Sequence, residues 1–182
     1  MSSRVKLLYT LAFAMIVIVA NYTVQFQIND WLTWGAITFP FSFLLTDIMS
    51  EKYSKKEVFE VIRNAIIIAV LPTIYFSELS IAAASLTSFF IAQRLDVIFF
   101  LYIKEKFPTL WWLRNNASTM LSQAFDTTIF YFLAFSLVMP VETIIKLIIG
   151  DYMLKVCFAL LDTPLFYLFA IKLNNASRRV GI

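Results

Sequence analysis

Residues 81–103 read IAAASLTSFFIAQRLDVIFFLYI. Twenty-three residues pass with only Arg94 and Asp96 charged, and the apolar positions are continuous rather than alternating. A hydrocarbon layer of about 30 Å takes roughly 20 residues of helix. This stretch is therefore read as a membrane-spanning helix, and the same test can be run outward in both directions. Five more runs qualify, at about residues 7–25, 31–50, 59–79, 110–138 and 141–173. The last is longer than a span needs, so it must tilt, break or extend into water.

Composition agrees. Of 182 residues, 60% are hydrophobic and only 15% are charged, against about a quarter charged in a usual soluble domain. A β-barrel would alternate apolar and polar residues along each strand, which these runs do not. The expected fold is thus all-α, a single six-helix transmembrane domain over residues 1–182.

The loops set the orientation. Arg4 and Lys6 precede the first run; Lys52, Lys55 and Lys56 follow the second; Lys104 and Lys106 follow the fourth; Lys172, Arg178 and Arg179 follow the sixth. The alternate connections, around residues 28–30, 77–80 and 139–140, carry no Lys or Arg. Basic loops stay on the cytoplasmic side, so both termini are expected there. The basic start and residues 7–20 also resemble a signal peptide; removing that run would leave an odd span count. A net charge of +3 spread over such loops reads as a topology signal, not a nucleic-acid surface.

Several chemistries are excluded. With no histidine and one cysteine, Cys157, ordinary zinc, haem and iron–sulfur sites lack their ligands, and histidine-dependent hydrolases lack their base. No cofactor and no metal is expected, nor an enzyme. Pro40, Pro72 and Pro164 fall inside runs, where each removes a backbone donor and tends to kink its helix.

Charges inside the runs carry the functional reading. Asp96, Asp126, Asp151, Lys155 and Asp162 all lie within apolar stretches. Each costs roughly 2.5–3.5 kcal/mol at a bilayer centre, so such residues face protein or water and usually mark a site. Ser88, Ala92, Asp96 and Phe100 step by four, as do Ser118, Ser122, Asp126 and Phe130, with Gln93 and Gln123 three residues before each aspartate. Either series occupies one helix face. Asp151, Lys155 and Asp162 share a third face. LDTPLF (161–166) echoes LDVIFF (95–100) and FDTTIF (125–130). Asp151–Lys155 reads either as a structural ion pair or as a gating pair, Glu142–Lys146 as an interfacial pair, and Arg94 as a partner for Asp47 or Glu51.

Longer motifs now matter: NYTVQ (21–25), TWGAITFPFSFLLTD (33–47), QRLD (93–96), WWLRNNASTMLSQAFD (111–126) and DYMLK (151–155). In these the chain resembles the queuosine precursor transporter family, over most of its length. The matching positions are Asn21, Tyr22, Phe39, Pro40, Asp47, Gln93, Asp96, Trp111, Trp112, Ser118, Asp126, Asp151 and Lys155. The LDTP motif that holds Asp162 belongs to some members only. The resemblance implies a six-span inner-membrane importer of 7-deazaguanine bases such as preQ0 and preQ1, which feed a tRNA modification.

The residues are compatible with that cargo. An aspartate can accept from the N1–H and 2-amino group of a guanine-like base together, a glutamine amide can donate to O6, and Phe100, Phe130 or Trp34 can stack on the ring. The expected substrate site is thus Asp96, Asp126, Gln93, Gln123, Asn21, Asp47, Phe100 and Phe130, with Asp151, Lys155 and Asp162 for gating or coupling. The expected partners are this small molecule and the lipid bilayer, not nucleic acid; a homo-oligomer is allowed but not required. Three other readings stay open. One is the substrate-binding membrane subunit of an ATP-driven vitamin importer; no G-x-x-x-x-G-K-[ST] loop is present. Another is an intramembrane enzyme using paired aspartates, which the ~10 Å difference in depth between Asp96 and Asp126 disfavours. The third is an assembly factor.

Overall fold

The structure, a computed structural model, describes residues 1–23, 26–29 and 32–172. It is helical apart from one two-stranded ribbon. In order the elements are α1 (Ser3–Thr23), β1 (Gln27–Asn29), β2 (Leu32–Thr33), α2 (Trp34–Thr38), α3 (Pro40–Lys52), α4 (Lys55–Phe76), α5 (Leu79–Lys106), α6 (Trp111–Phe135) and α7 (Val141–Phe166). A π-helical segment, Tyr167–Lys172, continues α7. Parts of the expectations fall outside the described residues: Gln25 and Trp31 at the ends of the first two runs, Asp30 in a connection, Leu173 at the end of the sixth, and the basic Arg178 and Arg179.

The second run differs most from its expectation. It is not one helix from residue 31 but two, α2 and α3, broken at Thr38–Pro40 and preceded by the antiparallel ribbon that pairs Gln27 with Thr33 and Asn29 with Leu32. The cause is Pro40. Lacking an N–H, it sits at the first position of α3 behind Phe39, where no donor is needed. Pro72 and Pro164 lie inside helices that continue through them. Pro140 caps the start of α7.

At the start of α4, Glu57 reaches back to accept from the Ser54 N–H at 3.1 Å and the Ser54 hydroxyl at 2.8 Å. This reciprocal cap stops the chain from running α3 into α4.

The bundle has two halves. In one, α1 packs on α4, and α4 on α5. Phe13, Ala14, Val17, Val58, Val61, Ile62, Ala65, Ala69, Phe89 and Ala92 form its dry core with Phe43 and Met49 of α3. Ala65 and Ala69 are fully buried and let the helices approach closely. Ala65→Leu forces extra methylenes into this contact and should cost about 1–3 kcal/mol, read as a lower midpoint in thermal unfolding of the detergent-solubilised protein; an unchanged midpoint contradicts the packing.

The other half is polar inside. Helix α3 is buried nearly all round, including Ser42, Thr46, Asp47 and Ser50, and packs on α5 and α7. Helix α6 packs along α5 and on α7. It buries Arg114, Asn115, Ser118, Thr119, Ser122, Gln123, Asp126 and Thr127 while Leu121, Phe125 and Leu133 face outward. That is a helix turned inside out relative to a soluble one, as lipid requires. Among the described residues three helices, α1, α4 and α5, are long and apolar enough to cross a membrane by length and composition alone. Helices α6 and α7 fall short because their polar side chains are numerous, and those side chains are turned largely towards the protein.

Candidate substrate-binding site

The buried face of α6 works as a ladder. Each fourth residue meets a charged group on another helix, so the rungs lie about 6 Å apart. At the first rung Arg114 donates to Glu51 of α3 through Nε and Nη2, both at 3.0 Å, and Lys104 of α5 stands 3.3 Å from the same carboxylate. At the second, Thr119 donates to Asp47 of α3 at 3.0 Å and Ser118 approaches it at 3.4 Å. At the third, Ser122 donates to Oδ1 of Asp96 on α5 at 2.9 Å. At the fourth, Asp126 accepts from Lys155 of α7 at 3.1 Å.

Two clusters result. The lower one gathers carboxyl groups from three helices. Asp47 and Asp96 are neighbours, and Asp162 of α7 is near enough to both to act on them through its charge. Among the described residues no lysine or arginine forms an ion pair with any of the three. Asp47 and Asp96 are essentially unexposed, Asp162 half-buried. Asn115, next to Asp162, is buried with neither amide atom in a well-formed hydrogen bond; the same holds for both amide atoms of Gln123 and for Oδ2 of Asp96. Buried polar groups are nearly always paired, so these donors and acceptors are available to water or to a bound molecule. Among the described residues no three acidic or thiol groups are placed to hold a metal ion.

The upper cluster is an ion triad. Lys155 contacts Asp126 at 3.1 Å, Asp151 at 2.9 Å and the Thr127 hydroxyl at 2.9 Å, and Thr127 donates to Asp151 at 3.2 Å. The expected Asp151–Lys155 pair is present, but it also reaches across to α6 and takes Asp126 with it.

The expected residues therefore divide. Asp47 and Asp96 come together. Asp162, expected beside Asp151 and Lys155, stands with the lower cluster instead. Seven residues separate it from Lys155, about 10 Å along α7, enough to reach a different rung. Gln93 is bound to α3: its amide donates to Ser42 at 3.0 Å and accepts from Thr46 at 2.5 Å. Asn21 accepts from Ser85 at 2.7 Å and donates to the Val17 carbonyl at 2.9 Å. Ser85 precedes Asp96 by eleven residues, so Asn21 is not brought to either cluster. Phe100 is fully buried against Phe166, with ring centroids 6.0 Å apart. Phe130 packs on Tyr131 and Phe135 above the triad, and Trp34 is exposed. Arg94, expected to pair with Asp47 or Glu51, instead lies over the rings of Phe59 and Phe90; Arg114 takes Glu51. Glu142–Lys146 is an exposed pair at 2.8 Å.

Asn115, Thr119 and Thr127 are the residues that sequence reading passed over. With Gln123 between Thr119 and Thr127 they form a second column beside Ser118, Ser122 and Asp126, again at intervals of four.

Residues 33–79 and 71–169 match the model of a family described as "Putative vitamin uptake transporter". The chain belongs to this family. The matched ranges hold every aspartate of both clusters, while Asn21 lies outside them. Among individual relatives, the chain is 30% identical over 171 residues to a probable queuosine precursor transporter of Bacillus subtilis, covering 80% of this chain and 75% of that one. It is 30% identical over 210 aligned residues to the queuosine precursor transporter of Escherichia coli, covering 99% and 92%. A third relative, from Haemophilus influenzae, is 32% identical over 123 residues, 57% of this chain. Most of the motifs from Thr33 to Lys155 lie within the residues that the family model matches. Its relatives are transporters, and its apolar helices make it a multi-pass membrane protein. No solved structure matches the chain.

Proposed function

We propose that this chain is a single six-span domain that imports 7-deazaguanine bases, such as preQ0 and preQ1, across the inner membrane. The names of its relatives support a queuosine precursor as cargo. The observation that carries the rest is the set of unpaired buried polar atoms on Asp96, Asn115 and Gln123, enclosed by helices whose outer faces are apolar.

Six spans follow if α2 and α3 together count as one crossing and α7 with its π-helical extension as another. Basic residues then collect at one side, which puts both termini in the cytoplasm. The Glu51–Arg114–Lys104 cluster lies at that side, and the Asp126–Lys155–Asp151 triad about 18 Å further along α6.

Between them Asp96 accepts from the base N1–H and 2-amino group, and the amides of Gln123 and Asn115 supply donors and acceptors for its remaining edge. Such a site rejects a wrong base because its buried groups then stay unpaired. Asp47 and Asp162 flank this group. The three carboxyl side chains of Asp47, Asp96 and Asp162, with no cation paired to them among the described residues, are the element that carries the proton in a proton-coupled cycle. Lys155 with Asp151 and Asp126 serves as the outer gate.

Reconstitution decides between this reading and an ATP-driven importer subunit. The purified chain alone, in liposomes with an inward proton gradient, should accumulate labelled preQ1, and unlabelled preQ0 should compete while adenine does not. No uptake by liposomes that contain correctly folded protein overturns self-sufficient transport.

A further inference from the structure

We propose that a groove between α4 and α5 binds the phosphate headgroup of an anionic phospholipid. The groove has a volume of about 370 Å³ and is lined by Lys56, Phe59, Glu60 and Arg63 of α4 and Phe90 and Arg94 of α5. It lies at the Lys55 end of α4, and on α5 it uses the exposed face of Arg94, turned away from the buried Gln93 and Asp96; no part of the transport cycle uses it.

Its charge is one-sided. Lys56, Arg63 and Arg94 are exposed, and among the described residues none of them forms an ion pair with a carboxylate. The acid in the groove, Glu60, is held by Lys6 at 2.7 Å. The Arg94 guanidinium lies 4.6 Å from the centre of the Phe59 ring and 5.1 Å from that of Phe90. Contact with two rings restrains the side chain, and the planar fork of a guanidinium matches phosphate oxygens.

Both walls are helices apolar enough to span a bilayer, so the groove opens towards lipid. Beyond it, towards the far end of both helices, Ile67 stands one turn past Arg63 and Ile91 one turn before Arg94, both exposed. A headgroup seated between the cations would lay its acyl chains along this apolar surface. A free phosphate would use the cations alone. Basic pockets between spanning helices at the headgroup level are a known form of lipid recognition, and an exposed arginine on a spanning helix is otherwise costly.

The test uses the full chain, delipidated in detergent and returned to nanodiscs of phosphatidylcholine with a minor fraction of phosphatidylglycerol. Native mass spectrometry should show phosphatidylglycerol retained by the wild type and at least about tenfold weaker retention in Arg63→Gln/Arg94→Gln, with Arg63→Lys/Arg94→Lys in between. Lys56→Gln, at an exposed position where folding is not at stake, should weaken it in the same direction. Inorganic phosphate should neither displace the lipid at millimolar concentration nor raise the unfolding temperature as phosphatidylglycerol does. Equal retention by wild type and Lys56→Gln together with the charge-preserving and neutral arginine pairs overturns the proposal. So does phosphate that protects as well as the lipid, which would make the groove a site for a free anion.

Discussion

Asp96→Asn should reduce uptake of labelled preQ1 by at least about 100-fold while the amount of protein in the membrane stays unchanged. Asp96 is unexposed, and its two oxygens are differently employed: Oδ1 accepts from Ser122, and Oδ2 has no donor. A carboxylate facing the N1–H and 2-amino group accepts two charge-assisted bonds, each worth about 1.5–3 kcal/mol. An asparagine keeps one acceptor and turns a donor towards a donor. Losing about 3 kcal/mol is about two orders of magnitude in affinity. The Ser122 bond survives, because the amide oxygen can replace Oδ1, so α5 and α6 stay joined. The measurement is initial uptake rate normalised to membrane-embedded protein. Wild-type uptake by Asp96→Asn would remove Asp96 from the substrate site, and with it the reason for placing the base at the third rung.

How much of this could be read beforehand depends on what sets each feature. Helix placement is a matter of apolar length against bilayer thickness, so α4, α5 and α6 fall close to their expected ends. The second run failed because Pro40 and the residues before it set a local backbone path that a hydrophobicity count does not register. The polar face of α6 was half readable. Ser118, Ser122 and Asp126 stand out at intervals of four because they lead to a charge. Asn115, Thr119 and Thr127 sit at the same intervals, but small hydroxyl and amide residues are common in spanning helices, and only their burial distinguishes them. Pairing between helices was not readable at all. The sequence places Asp151 and Lys155 one turn apart, a local fact; that Lys155 also takes Asp126 depends on how α6 and α7 are rotated against each other. The same rotation puts Asp162 beside Asp47 and Asp96. Arg94 shows the limit from the other side. Its position in a spanning run suggested a buried carboxylate partner, yet it lies off the Gln93–Asp96 face and turns to aromatic rings at the surface.

Lys155→Met should be the most destabilising substitution in the bundle, and its rescue separates structure from transport. Lys155 is only 6% exposed in the fold, and its ammonium group lies between two carboxylates at 3.1 and 2.9 Å. Methionine fills similar volume, so packing is little changed. What is lost is the cation that makes burying Asp126 and Asp151 tolerable. Breaking one partner out of a buried ion cluster costs about 3–5 kcal/mol, because the remaining charge is left uncompensated, whereas replacing all partners by neutral groups is often neutral or better. Lys155→Met alone should therefore lower yield and unfolding temperature sharply. Lys155→Met/Asp126→Asn/Asp151→Asn should recover both, with Thr127 still able to bond to either amide. If the triad is a gate, the recovered protein remains inactive, since an uncharged contact no longer opens and closes with the occupancy of the acidic cluster below it. If the triad only ties α6 to α7, the triple variant transports as well as it folds. Thermal unfolding and preQ1 uptake on the same preparations distinguish the two outcomes, and an unchanged unfolding temperature for Lys155→Met would contradict the triad geometry itself.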